Sequence, residues 1–218
     1  MRPTVIMFDA GGTLVLQNPV QMGSMLGTEI DPDAAFRAHY LTMAEFSERK
    51  DRGEAVTWDW WLEQYFHRLG HGDPTTAGAA IDRGFGLWSW AIPGVVEAVE
   101  RIVAMGIRVS VVSNSDGSVA ASLRDAGFDG RFEDVVDSQL VGFSKPDPRI
   151  FELACQRLDV DPGRAWYVGD SVHHDVGGAT AAGLGAAWLV DPLGLYPDHA
   201  QRLPSVADLP DRLSGNRG

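Results

Sequence analysis

Near the start of the chain, Val5, Ile6, Met7 and Phe8 run straight into Asp9, which is followed by Gly11 and Gly12. Four apolar residues without polar alternation predict a central parallel strand covered on both faces. Asp9 then falls at the strand's carboxyl end, the edge at which open α/β sheets bind ligands. Gly11 and Gly12 lack a Cβ, so main-chain N–H groups can approach an anion closely, and Thr13 adds a hydroxyl donor. Taken alone, the segment also fits a plain strand-to-loop turn with a solvated Asp9.

After Leu14 the pattern turns helical for about seventy-five residues, too long for a plain connection between strand and helix. Asp33 to Glu48 carries Ala34, Phe36, Tyr40, Leu41 and Ala44, with Phe46 at the fringe, which predicts an amphipathic helix. Trp58, Trp61, Leu62, Tyr65, Phe66 and Leu69 form a clearer stripe that Gly70 can cap. Residues 17–91 are therefore predicted to be an inserted helical cap, with 1–16 and 92–218 forming one core domain. The cap tryptophans are assigned mainly to its core, with some at the mouth of a site.

Pro93 and Gly94 mark the return to the core. Val95, Val96, Val99, Ile102 and Val103 line a helix closed by Gly106, and Ile107 to Val112 is a second strand that delivers Ser113 and Asn114 to the edge holding Asp9. A short helix at Ser118 to Ala126, a brief strand at Val135 and Val136, and a helix at Ile150 to Leu158 follow. Ala165 to Val168 is the fourth strand, with Asp170 at its end, and Ala186 to Val190 the fifth. Such alternation predicts a doubly wound parallel α/β sheet, Rossmann-like, with five or more strands and right-handed crossovers. Residues 214–218 are expected to fray.

Bulk properties narrow the function. With 44% hydrophobic residues among 218, the chain can bury one sizeable core and a small second module. It contains no apolar run of about 18 residues, so no membrane span is expected. The start of the chain lacks the apolar stretch of a signal peptide, and Cys155, the single cysteine, fits a reducing cytoplasm. Phe151, Ala154 and Leu158 share its helical face, which assigns Cys155 to packing. A net charge of -12 argues against nucleic acid as a partner. The chain has two lysines, Lys50 and Lys145, so a lysine within a motif is informative.

VVSNSDG (111–117), GFSKPDPRIF (142–151) and YVGDSVHHDVGGATAAG (167–183) follow DAGGTL in that order. Together they resemble the four motifs of the haloacid dehalogenase-like (HAD) hydrolase superfamily, in a capped subfamily with DAGGT in motif one. TWDWWL (57–62) and KPDPRIF also resemble a less characterised branch of it. The resemblance implies that Asp9 attacks phosphorus, forming an aspartyl-phosphate that water hydrolyses, while Lys145 places a positive charge between nucleophile and phosphoryl oxygens. It implies Mg²⁺ held by Asp9, the Gly11 carbonyl, Asp170 and Asp175, with Gly12, Thr13, Ser113 and Asn114 binding the phosphoryl group. The implied substrate is a small phosphorylated metabolite, and the implied assembly a monomer or homodimer. An acidic protein needs such a cation and lysine to neutralise an anionic substrate. Taken alone, Asp170 and Asp175 would read as helix caps.

One position departs from the phosphatase pattern. Gly11 stands where phosphatases of the superfamily usually carry a second aspartate that protonates the leaving alkoxide. General acid–base help is worth about 10²–10⁴-fold, so aryl and acyl phosphates are expected to outrun alkyl phosphates. Other readings stay open: a dehalogenase, which also lacks that aspartate, or a phosphonate hydrolase using Lys50 as a Schiff base, although Phe46 to Arg52 reads as solvated. A weakly catalytic protein that binds a metabolite or partner through its tryptophan-rich cap is the third. His173 and His174 read as polar residues at a helix start.

Overall fold

The structure, a computed structural model, describes residues 2–71 and 87–215. Residues 72–86 of the predicted cap, and the predicted frayed end from residue 216 onward, lie outside the described residues.

The apolar run is the strand β1 (Val5–Phe8), every residue of it buried. Its alternate side chains serve two cores, as a pleated strand requires. Ile6 and Phe8 pack on one face of the sheet, and Val5 and Met7 on the other. The chain then forms β2 (Val15–Leu16), α1 (Pro19–Leu26), α2 (Pro32–Asp51) and α3 (Trp58–Arg68). It returns through β3 (Trp90–Ala91), which pairs antiparallel with β2. After it come α4 (Val95–Ala104), β4 (Arg108–Ser113), α5 (Val119–Leu123), β5 (Val135–Asp137), α6 (Ser138–Val141) and α7 (Pro148–Arg157). The last elements are β6 (Ala165–Gly169), α8 (Gly178–Ala181), β7 (Ala186–Val190), β8 (Arg202–Leu203) and α9 (Leu209–Leu213).

Six strands form one parallel sheet in the order β5-β4-β1-β6-β7-β8. Val95, Val99 and Ile102 of α4 cover one face together with Leu209 of α9. Ile150, Phe151 and Ala154 of α7 cover the other, with Cys155 buried among them. This is the doubly wound α/β sheet that the strand pattern predicts. The register pairs Phe8 with Val111 on β4 and with Val168 on β6, so Asp9, Ser113 and Asp170 leave the sheet at one edge.

The helices α1, α2 and α3 each begin on a polar cap. Asn18 accepts from the main chain of Val20 and Gln21 to start α1, Asp31 from Asp33 to start α2, and Thr57 from Trp60 to start α3. Proline at the first turn of α1 and α2 fixes φ for entry. Met22, Met43, Phe46, Trp61, Tyr65 and Phe66 make a third core among these helices.

Several elements go beyond the predicted set. The helix α1, the short helices α6 and α9, the β2–β3 pair and the sixth strand β8 are each too short or too irregular in pattern to stand out by periodicity. Phe46 and Ser47, placed by sequence in a solvated segment, are buried, because that turn of α2 packs on the loop after β6: Phe46 stacks on His174 with centroids 5.5 Å apart. Lys50 lies over the Phe46 ring at 5.5 Å and does not line the site cavity, which removes the support for a Schiff-base lysine.

Ile102 is fully buried between α4 and the sheet. Ile102→Ala should cost about 2–5 kcal/mol of stability, seen in urea unfolding as a lowered midpoint with an unchanged slope.

Candidate active site

Asp9 enters the site directly from β1, anchored by its N–H donating to the Val168 carbonyl at 2.9 Å. Its Oδ1 accepts from Ser113 Oγ at 2.9 Å and from Lys145 Nζ at 2.6 Å. Among the described residues, no side chain donates to Oδ2. One carboxylate oxygen is thus oriented by the protein.

Lys145 is buried, and its ammonium has three donors to place. Besides Asp9 they reach Asp175 Oδ1 at 2.6 Å and the Tyr167 hydroxyl at 2.9 Å. Tyr167 in turn donates to the Val112 carbonyl at 2.7 Å. Tyr167, a buried residue of β6, reads from sequence as core packing and is not among the predicted site residues. The lysine's backbone is clamped as well: Asn114 accepts from its N–H at 2.8 Å and donates to its carbonyl at 3.0 Å. Asn114, expected to touch phosphate, therefore engages its amide in holding the lysine loop.

Asp170 and Asp175 follow β6. The Ser171 N–H donates to Asp175 Oδ2 at 2.9 Å. His39 of α2 reaches Asp170 Oδ2 at 2.7 Å, while Asp170 Oδ1 is buried without a hydrogen-bond partner among the described residues. Thr13 is buried with a hydroxyl that has no partner among the described residues, and the neighbouring Gly12 carbonyl accepts from Tyr40 at 2.7 Å. One oxygen from each of Asp9, Asp170 and Asp175 lies within 4.8 Å of the others.

Three carboxylates around one ammonium in a dry pocket perturb one another. Burial pushes Asp9 up to about 7, with Lys145 opposing and Asp175 and Asp170 reinforcing the rise. Burial, then the charge of Asp175, holds Asp170 well above the ordinary carboxylate range. Burial works against the charge on Lys145, but Asp175 and Asp9 together lift it above its usual value. The donor set of three carboxylates, with an orphaned buried oxygen, fits a hard divalent cation.

Of the two histidines in this segment, His174 is buried and burial lowers it to about 4, whereas His173 is more exposed and pairs with Asp51 at 2.6 Å. The acids open onto a cavity of about 690 Å³. Its lining includes apolar side chains, among them Met43, Trp58, Leu62 and Trp88, and hydroxyls such as those of Ser115 and Ser138. Trp88 lies so close to Gly11 that a Cβ there would be 2.8 Å from Cζ3 of the indole.

The family model for haloacid dehalogenase-like hydrolase matches residues 3–183. The chain belongs to that family. Haloacid dehalogenase-like hydrolase domain-containing protein 3 of Bos taurus is 29% identical over 196 residues, 84% of this chain and 78% of the relative. Ribulose-1,5-bisphosphate 5-phosphatase of Halopiger xanaduensis is 28% identical over 207 residues, 87% of this chain and 85% of the relative. The fold is also that of L-2-haloacid dehalogenase from Xanthobacter autotrophicus, with a TM-score of 0.66 at 18% identity and all of both chains covered. Phosphatases and dehalogenases thus both stand among the proteins this HAD-like hydrolase resembles.

The raised Asp170 sets a testable stability balance. A carboxyl whose folded value exceeds its unfolded one favours folding when protonated, so its ionisation costs stability as pH rises above the ordinary carboxylate range. In chelator at pH 8, Asp170→Asn should raise Tm by roughly 2–4 °C per kcal/mol relieved. Calorimetry should find that advantage shrinking toward pH 5.

Proposed function

We propose that this HAD-like hydrolase is a Mg²⁺-dependent phosphatase of small phosphorylated metabolites, working through an aspartyl-phosphate on Asp9. The observation that carries this reading is the buried triad of Asp9, Asp170 and Asp175 with an unpartnered oxygen on Asp170. Such a triad is suited to a divalent cation, for which halide displacement has no use. Asp9, Asp170, Asp175 and the Gly11 carbonyl would hold the ion. When bound, it would offset the repulsion between the nucleophile and an anionic substrate.

The chain's own groups do the rest. Ser113 and Lys145 fix Oδ1 of Asp9, which leaves Oδ2 to attack phosphorus as the bond to the leaving oxygen breaks. Lys145 sits beside that carboxylate, where it neutralises charge on the phosphoryl oxygens. Gly12 and Thr13 supply contacts to those oxygens, with Ser113 beside them holding Oδ1 of Asp9, while Asn114 acts through the lysine loop. Water then attacks the phosphorus of the acyl phosphate, which releases inorganic phosphate and restores Asp9. Residues 17–91 act as a cap on the core formed by 1–16 and 92–218. Trp58, Leu62 and Trp88 face the leaving group and exclude water while transfer occurs.

Dehalogenation is the second reading, and it is favoured by Gly11, since a departing halide needs no proton. The two separate cleanly. Acetyl phosphate and p-nitrophenyl phosphate should be hydrolysed by the wild type with Mg²⁺, with turnover lost in chelator and in Asp9→Asn. Halide release from 2-haloacids without metal, and no phosphate release, would overturn the proposal.

The missing acid should appear in the choice of leaving group. Phenyl phosphate should turn over about 10²–10⁴-fold faster than an alkyl monoester, the range that general acid help spans. Gly11→Asp alone should not close the gap, because Trp88 occupies the space its side chain needs. Comparing it with Gly11→Asp/Trp88→Ala in the same assay checks this.

A further inference from the structure

α2 does more than wall the cavity. Its residue His39 is fully buried at the acid cluster, 131 positions from the aspartate it touches. Next to an ionised Asp170, a neutral imidazole must donate from Nε2. That bond occupies Oδ2 of Asp170 and leaves the unpartnered Oδ1 as the oxygen free for another ligand. The imidazole has little freedom, since the rings of Tyr40, Trp61 and Trp88 lie edge-on around it with centroids 5.0, 5.3 and 5.7 Å away.

The motif-one loop is shaped to admit this contact. A Cβ on Gly12 would collide with both the Asp170 carboxylate and Nε2 of His39. The next residue of the helix, Tyr40, donates to the carbonyl of that same glycine at 2.7 Å. Two turns further on, Ser47 hydrogen-bonds Ser171, the residue after Asp170, at 2.9 Å. One face of α2 therefore grips the loops after β1 and after β6, which carry all three acids.

We propose that His39 is a positioning residue of the divalent-cation site, fixing Asp170 so that Oδ1 faces the ion, and that it couples the seating of α2 to occupation of that site. This rests on the metal-dependent reading above. A hydrogen-bond donor that orients a ligand carboxylate typically contributes 10–100-fold to metal affinity. Linkage requires the reciprocal effect, so bound metal should hold α2 down by the same factor.

The test needs no turnover. Mg²⁺ and Mn²⁺ affinities of the intact chain are measured by calorimetry for the wild type, His39→Phe and His39→Gln. Phenylalanine keeps the aromatic packing and removes the donor; glutamine restores an N–H at similar reach. His39→Phe should bind both ions 10–100-fold more weakly, and His39→Gln should recover most of the loss. Hydrogen exchange across α2 should slow with Mg²⁺ in the wild type and remain unchanged by Mg²⁺ in His39→Phe. Equal or tighter binding by a folded His39→Phe would overturn the inference and leave the metal site intact. Absence of binding by the wild type itself would overturn the metal-dependent reading, and this inference with it.

Discussion

Burying three carboxylates around one ammonium is the constraint that the rest of the site serves. In a medium of low dielectric, like charges a few ångströms apart cost far more than they do in water. A single lysine cannot balance Asp9, Asp170 and Asp175, and burial first, with repulsion among the carboxylates behind it, pushes Asp9 and Asp170 upward. The sheet makes that arrangement unavoidable. β1 and β6 are adjacent and parallel, so the residues after Phe8 and Gly169 must emerge side by side. Lys145 is held between them from three directions, by Asp9, Asp175 and Tyr167, with Asn114 fixing its backbone. Perturbed carboxyls gathered at a cavity in this way are the physical mark of a functional site.

The insert changes what this edge can do. In an open sheet the carboxyl edge faces solvent, and its carboxylates would be hydrated. Here α2 lies across it, and His39, Tyr40 and Ser47 replace water with directed hydrogen bonds. Desolvation strengthens every electrostatic contact beneath the helix. The cavity beneath it is lined by both kinds of group, the acids with Lys145 and the aromatic rings of Trp58, Trp61 and Trp88.

Much of this was legible in the sequence because it depends on local pattern. The uninterrupted run of Val5 to Phe8 specified a strand buried on both faces, and the spacing of later strands specified a parallel sheet. The face of α2 was harder to read. Its buried residues include His39, Thr42 and Ser47, and a hydrophobic pattern counts polar residues as exposed. Ala35, His39, Met43 and Phe46 do follow helical spacing, so a histidine interrupting an apolar stripe was the available signal. Tyr167 escaped for the opposite reason. An aromatic residue in an apolar strand looks like packing until its hydroxyl is seen to meet a lysine. Neither contact is local: His39 and Asp170 are 131 positions apart, and the pairing exists through the fold alone.

The two adjacent glycines of motif one bring these strands together. Read as sequence, Gly11 and Gly12 suggest backbone room for an anion. The structure adds a second demand on each. Gly12 has a left-handed φ of 74°, and any side chain there would meet Asp170 and His39. Gly11 lies beneath the indole of Trp88, which arrives from the far end of the insert. The small size of one pair of residues therefore seats two groups from distant parts of the same insert. An aspartate at Gly11 and an indole at Trp88 exclude each other sterically, so the acid residue and the aromatic wall are alternatives for one volume.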